Sequence, residues 1–299
     1  MNPVMGYMLK RKKAIRYERE LFKMKDGGTI AIDWVDEIPH PGLKSKKPIV
    51  AIMPGLSSDN DVVYVLNLLI SAKQAGLRPV VINYRGASKV ELTNATLYCA
   101  GSVNDLRQPL EYIHAKYCGG HGDGSGEIAR GEGTDLFLVG NSMGANIVAN
   151  YLGEEGAKCF VKAAVCVQPP MKMWECGENI EKRLFGFYNY VLGRSLKDKM
   201  ERWAPNIREA YLANHGIDLQ KTLRRSRHLI DIDTHMTSKA FGYGDLKTYY
   251  DKASCIHRIP SIKTPTFFLM ARDDPIIGEK AICMATCTGN PYVLLGTTQ

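Results

Sequence analysis

The run Thr134-Asp-Leu-Phe-Leu-Val139 leads into Gly140-Asn-Ser142-Met-Gly144, and Ala145-Asn-Ile-Val-Ala-Asn-Tyr-Leu152 follows at once. An apolar run of strand length, a tight turn and a segment of helical period leave few folds open, because a strand handed directly to a helix needs a sheet for that helix to cover. A serine on so sharp a turn has strained backbone angles, and side chains two residues to either side would meet the neighbouring strand and helix. Glycines there let the hydroxyl stand clear. The turn also puts Ser142 at a helix N-terminus, where free N–H groups and the helix dipole favour developing negative charge. An N-cap serine flanked by turn glycines would leave the same pattern without any chemistry.

The rest of the chain repeats the alternation. Strand-like runs occur at Thr29–Val35, Pro48–Met53, Pro79–Asn83, Asp135–Val139, Val161–Val167, Pro265–Ala271 and Tyr292–Gly296. Helical periods fill Val62–Ala75, Val103–Tyr117, Ala145–Leu152 and Pro275–Ala285, with Gly76 and Gly156 as stop signals. The expected fold class is α/β, with a mostly parallel central sheet and helices on both faces. Between about 170 and 233 the alternation breaks into aromatic, basic, helical sequence, which reads as an inserted helical cap on one domain spanning 1–299.

Composition limits the function classes. The chain is 45% hydrophobic and 23% charged, which excludes disorder throughout. No apolar run reaches the roughly 18 residues that cross a bilayer. Lys10-Arg-Lys-Lys13 follows a short apolar start, the reverse of a secretory signal. An intracellular location is expected, cytoplasmic or peripherally membrane-associated. The net charge of +8 is concentrated in residues 1–25, with eight Lys or Arg against two Glu, and in 172–228, with twelve against seven acidic residues. Such runs suit a solvated face or an anionic lipid surface. No nucleic-acid-binding module accompanies them, so no nucleic-acid partner is expected. The eight cysteines are irregularly spaced, so no disulfide framework is expected. Cys118-Gly-Gly-His121-Gly-Asp123 lacks a second ligand pair and reads as a surface loop, leaving no metal or organic cofactor expected.

A nucleophilic serine needs an oxyanion site, a base and an acid. The N–H of Met143, just after the serine, is one oxyanion donor. The other is the N–H of Leu56, in the loop Pro54-Gly-Leu-Ser-Ser58 after strand Pro48–Met53, although that loop also reads as an ordinary Pro-Gly turn. The strand Pro265–Ala271 ends in Arg272-Asp-Asp-Pro275, and Asp274 is the expected acid, with helix capping as its competing reading. All seven histidines precede Asp274. In a Ser, Asp, His chain order the base would follow it, so either the given sequence stops before the base or an earlier histidine is recruited. The first is expected.

These stretches together resemble the AB hydrolase 4 family of the α/β-hydrolase superfamily, a group of esterases and lipases with some acyl-transferring members. The match is carried by Tyr17-Glu-Arg-Glu-Leu, Asp26-Gly-Gly-Thr-Ile-Ala-Ile-Asp-Trp34, Pro54-Gly-Leu-Ser-Ser58, Asn83-Tyr-Arg-Gly86, Gly140-Asn-Ser-Met-Gly144, Phe241-Gly-Tyr243, Tyr249-Tyr250 and Ala271-Arg-Asp-Asp-Pro275. The resemblance implies Ser142 as nucleophile and Asp274 as acid. It also implies a Gly-Gly-His segment after a strand like Tyr292–Gly296, which this sequence does not contain.

The expected activity is hydrolysis of lipid-like or medium-chain acyl esters, of acylglycerol or phospholipid type, through an acyl-enzyme intermediate. Acyl transfer to an alcohol, or a non-catalytic lipid-binding scaffold, are the alternatives. Trp174, Leu184, Phe185, Phe187, Tyr188, Tyr190, Val191 and Leu192 read either as an acyl-channel lining or as the cap's own core. Lys182, Arg183, Arg194, Lys197, Lys199 and Arg202 lie among them and could meet phosphate headgroups. His228-Leu-Ile-Asp-Ile-Asp233 has the His-x4-Asp spacing seen in some acyltransferases, but one such match weighs less than the reading as a structural histidine.

Overall fold

Eight strands form one sheet in the order β1-β2-β4-β3-β5-β6-β7-β8 in the computed structural model, which describes residues 15–39, 47–118 and 134–299. The strands are β1 Tyr17–Lys23, β2 Thr29–Val35, β3 Ile49–Met53, β4 Arg78–Ile82, β5 Leu136–Asn141, β6 Ala163–Val167, β7 Thr266–Ala271 and β8 Val293–Thr298. The β1–β2 and β2–β4 pairs are antiparallel, and every other pair is parallel. The expected strands are present. β1 was not read as one, because Tyr-Glu-Arg-Glu-Leu-Phe-Lys carries the charges of a solvent-facing edge strand rather than an apolar run.

Residue alternation along β3 and β4 builds a core on each face. Ile52 and Val81 point to one side, where helix α1 (Val63–Gln74) packs Val65, Leu66 and Leu69. Ala51, Met53, Val80 and Ile82 point to the other, against α2 (Asn104–Tyr117) and α3 (Met143–Glu155). Burying each of the two α1 leucines contributes about 1.5–3 kcal/mol. β3 is buried at every position, as suits a central parallel strand covered on both faces.

The chain places β4 on one side of β3 and β5 on the other. The connections leaving the carboxyl ends of β3 and β5 therefore diverge to opposite faces, and a crevice opens between them. Ser142 and the loop after β3 flank that crevice.

Helices fill the chain between β6 and β7: α4 (Met173–Lys182), α5 (Phe187–His215), α6 (Leu219–Arg225), a helical turn at Leu229–Ile232 running into a π-helical turn at Asp233–Thr237, and α7 (Leu246–Ala253). Between α4 and α5, Leu184 and Phe185 both adopt left-handed angles, φ 48° and 53°, which reverses the chain at an exposed tip. The Trp203 indole N–H in α5 donates to the Gly86 carbonyl at 3.0 Å and fastens these helices to the sheet edge.

The expected helix Pro275–Ala285 is not formed. Asp274–Gly278 is a turn, followed by a 3₁₀ turn at Glu279–Ala281 and the short α8 (Met284–Thr288). Pro275 fits a turn as well as a first helical position, and Gly278 takes φ 75°, which ends any helix there. All eight cysteines are unpaired, and all but Cys159 are buried.

Candidate active site

Ser142 sits at φ 52° and ψ −120°, a conformation that L-residues rarely adopt. Its N–H donates to Val167 O at 2.8 Å, and its carbonyl accepts the Asn146 N–H at 3.1 Å, so the end of β6 and the first turn of α3 hold the strained turn. The flanking glycines answer two separate close approaches. A Cβ at Gly140 would lie 2.5 Å from Ala145 Cα. One at Gly144 would lie 2.3 Å from Pro54 O and 2.4 Å from Met53 O, so α3 starts directly against the end of β3.

The loop after β3 faces the serine closely. A Cβ at Gly55 would lie 3.3 Å from Ser142 Cβ and 3.2 Å from the Tyr64 hydroxyl oxygen. The loop is braced by side chains. Tyr64 Oη accepts the Gly55 N–H at 2.7 Å, and the Tyr84 hydroxyl donates to Pro54 O at 2.7 Å. Asn60 Nδ2 donates to Asp33 at 2.7 Å and Asn83 Nδ2 to the same oxygen at 2.8 Å, while Arg19 grips Asp33 bidentately at 2.6 and 2.8 Å. The run Asn83-Tyr-Arg-Gly86 thereby gains a physical role at each position: Asn83 and Tyr84 hold the loop, Arg85 pairs with buried Asp105 at 2.7 Å, and Gly86 receives Trp203. Leu56 and Met143 both line the cavity beside Ser142. The Leu56 N–H has no acceptor among the described residues. Met143 is the first residue of α3, so its N–H has no intrahelical acceptor.

Asp274 is half-buried in the turn after β7, whereas Asp273 is exposed. Its Oδ1 accepts the N–H groups of Ile276 and Ile277 at 2.7 and 2.9 Å, and its Oδ2 accepts Gln168 Nε2 at 2.6 Å. Since β5, β6 and β7 are adjacent and parallel, Ser142, Gln168 and Asp274 all emerge at one edge of the sheet, with the ends of β5 and β7 two strand spacings apart, about 10 Å.

A cavity of roughly 380 Å³ lies over this edge. Its floor includes Ser142 and Gln168, and its roof is Met173, Ile180, Leu192, Leu196, Met200 and Leu229. The lining is predominantly apolar, with tyrosine hydroxyls and a single carboxylate, that of Asp233, among the residues that face it. Burial of Tyr64 and Tyr98 pushes both phenols above their ordinary range.

Of the aromatic run expected to line a channel, only Leu192 reaches the cavity. Trp174, in the first turn of α4, faces outward, and so do Leu184, Phe185, Phe187, Tyr190 and Val191 around the tip where the left-handed pair sits, with Phe185 fully exposed. No histidine lines the cavity among the described residues. His114 stacks on Phe160, His215 meets Tyr211 with its ring tilted, His235 is exposed, His257 contacts Asp251, and His40 and His121 lie outside the described residues. His228 contacts Asp231 at 3.4 Å and starts a helical turn, a structural role, while Asp233 turns to the cavity. Among the described residues no cluster of metal-ligating side chains occurs, and no helix is long and apolar enough to cross a membrane. The Lys10–Lys13 run and most of the Cys118–Asp123 segment lie outside the described residues.

Two residues at the site, Tyr64 and Gln168, carry no usable signal in the sequence, and Asp233 appears there only as the end of the His228-x4-Asp233 spacing. Gln168 could have been flagged only by its place before Pro169-Pro170 at a strand end.

The sequence profile of a family described as alpha/beta hydrolase fold matches residues 132–284. The chain is 29% identical over 290 residues to "Phospholipase ABHD3" of Bos taurus, covering 96% of this chain and 66% of that protein. It is 28% identical over 253 residues to "Monoacylglycerol lipase" of Saccharomyces cerevisiae, covering 83% of this chain and 52% of the yeast protein. It thus spans between about half and two thirds of the length of these curated relatives. Among solved structures, the Pyrococcus furiosus esterase Pf2001 superposes with a TM-score of 0.55 at 16% identity, over 96% of this chain and 85% of that one.

Proposed function

The chain belongs to the alpha/beta hydrolase fold family, and on that footing we propose that it is a serine carboxylic-ester hydrolase of lipid-like or medium-chain acyl esters, of acylglycerol or phospholipid type. The observation that carries this reading is Ser142, held at φ 52° on a strand-to-helix turn, at the floor of a predominantly apolar cavity. The two relatives bear the names of lipid-ester hydrolases, in line with this substrate class.

In the proposed reaction Ser142 Oγ attacks the ester carbonyl, the Leu56 and Met143 N–H groups hold the oxyanion, and the acyl chain lies along the apolar roof. The alcohol leaves, and water then releases the acid from the acyl-enzyme. The serine proton passes to a histidine base that Asp274 orients and from it to the departing alcohol, a base that none of the histidines among the described residues provides in this cavity. The helices over the carboxyl edge act as a cap on a single domain. Exposed Leu184, Phe185, Phe187 and Tyr190 stand beside Lys182 and Arg183 at the tip, an apolar surface with basic flanks that suits peripheral contact with an anionic lipid surface.

One observation favours a non-catalytic lipid-binding role instead: Gln168 Nε2 occupies Asp274 Oδ2, the oxygen left over from the two backbone N–H bonds. Fluorophosphonate labelling and p-nitrophenyl ester hydrolysis separate the readings. Both should be measured on this chain, on its Ser142→Ala variant, and on a chain carrying whatever coding sequence follows Gln299. Labelling at Ser142, lost in the alanine variant, supports the hydrolase. Absence of labelling in both the given and the extended chain overturns it and leaves the scaffold.

A further inference from the structure

Asp233 and Asp231 lie two positions apart, which on a helix sends their side chains about 200° apart. Asp231 turns outward and accepts the N–H groups of Arg227 and His228 at 2.8 and 2.9 Å. Asp233 turns inward, is 6% exposed, and lines the same cavity as Ser142. It opens the π-helical turn Asp233–Thr237, an irregularity found often at functional sites.

The groups facing Asp233 are neutral. The Tyr250 hydroxyl donates to Oδ2 at 2.9 Å, and the Thr237 hydroxyl is a second donor. Tyr249 and Cys99 are the other titratable neighbours, and no basic side chain forms an ion pair with it among the described residues. A buried carboxylate without a counter-charge is costly, and two neutral donors leave part of its capacity to accept hydrogen bonds unused.

The place is rigid with respect to the serine. Tyr249, next to Tyr250 on α7, accepts the Ala100 N–H on its hydroxyl at 3.0 Å. Asn146, one turn beyond Ser142 on α3, donates to the carbonyls of Ala100 and Ala253 at 3.0 and 2.8 Å. The polar corner made by Asp233, Thr237 and Tyr250 is therefore built onto the helix that carries Ser142.

We infer that Asp233 is the recognition point for the alcohol part of the substrate, accepting a hydrogen bond from a free hydroxyl of a polyol ester whose acyl chain occupies the apolar roof. This rests on the acyl-ester reading of the cavity and narrows it to esters with a hydroxyl on the leaving group. A neutral hydroxyl fits better than a cation. A cation brought into this lining would itself be desolvated, and the residues lining the wall supply no second carboxylate to offset that.

Binding rather than turnover tests it. The dissociation constants of 1-O-dodecylglycerol, an ether that cannot be hydrolysed, and of dodecyl methyl ether, which lacks the hydroxyls, should be measured for the full chain and for Asp233→Asn. Asparagine keeps the shape and an acceptor for Tyr250. The expected result is a loss of about tenfold in alkylglycerol affinity with little change for the methyl ether. Wild-type alkylglycerol affinity should also fall as pH drops from about 8 to about 5, since burial raises the Asp233 carboxyl to about 6, and the variant should show no such profile. Equal losses for both ligands would make Asp233 structural and overturn the inference, as would unchanged alkylglycerol binding in the variant or selective loss of dodecylphosphocholine instead. Failure of the wild-type chain to bind either ether would remove the acyl-cavity reading itself, a result distinct from all of these.

Discussion

Gln168 bridges two strand ends through its one amide. Its Nε2 lies 2.6 Å from Asp274 Oδ2 and its Oε1 accepts the Ala271 N–H at 2.6 Å, while its own N–H donates to Leu269 O at 2.9 Å. The tips of β6 and β7 are thereby locked, and the carboxylate is aimed before any partner meets it. Gln168→Ala should lower stability by about 1–3 kcal/mol in urea denaturation, since a half-buried carboxylate loses a charge-assisted donor and a backbone N–H loses its acceptor. A midpoint unchanged from wild type would show that water replaces the amide without loss.

The strain at Ser142 is measurable. A glycine adopts φ 52° freely, so Ser142→Gly should raise stability by about 1 kcal/mol, whereas Ser142→Ala keeps the strained angle and should leave stability nearly unchanged. Differential scanning calorimetry of the two variants distinguishes backbone strain from hydroxyl loss. Both should lose fluorophosphonate labelling if the serine is the nucleophile.

Gly144→Ala should be more damaging than an ordinary helix substitution. Alanine is intrinsically better in a helix by about 1 kcal/mol, but its Cβ would stand 2.3 Å from Pro54 O, a backbone atom that cannot give way cheaply. A net loss of about 2 kcal/mol or more is expected, with disruption of the Leu56 loop. Circular dichroism melts check the sign: a stabilised variant would mean that the β3 end can retreat.

Asp233 makes a pH-dependent contribution of unusual sign. Its carboxyl is raised to about 6 in the folded chain from 3.8, because burial penalises the charged form. Between these values the folded state holds more protons than the unfolded one, so stability falls as pH rises through this window. The wild-type chain should accordingly gain on the Asp233→Asn variant as pH drops from about 7 to about 4, by an amount on the order of 2–3 kcal/mol. Parallel stability–pH curves for the two proteins would place the carboxylate in water.

The exposed tip predicts surface behaviour. Replacing Leu184 and Phe185 with Ser removes two large apolar side chains that stand mostly or wholly in solvent. Sedimentation with vesicles rich in anionic lipid should drop several-fold, while the folded stability changes by less than about 0.5 kcal/mol. Equal sedimentation of variant and wild type would remove the lipid-surface contact.

The parallel strands were legible because a strand buried on both faces must be apolar throughout, as Ile49–Met53 is. The places of Ser142 and Asp274 just past strand ends were legible for the same reason. Gln168 was not, since its role exists only through the register that sets β6 beside β7, and that pairing joins residues about a hundred positions apart in the chain. The direction of the aromatic run 184–191 was hidden too. Periodicity gives the face of a helix, but it carries no sign of the two left-handed residues that swing this segment into solvent. Asp233 stood in the sequence only as the end of the His228-x4-Asp233 spacing, and that it turns to the cavity while Asp231 turns outward is visible only once the chain is folded.

The indole bond between Trp203 and Gly86 has a mechanical consequence. It anchors the long α5 helix to the sheet edge well inside the helix, while Asn189 and Gly193 nearer its start pack against the turn at 228–230, so the exposed Leu184–Phe185 bend projects beyond both contacts. A rod bolted near its middle carries its far end as a cantilever, and here that end is the greasy bend, held out from the sheet by the same helix whose side chains Leu192, Leu196 and Met200 roof the chamber.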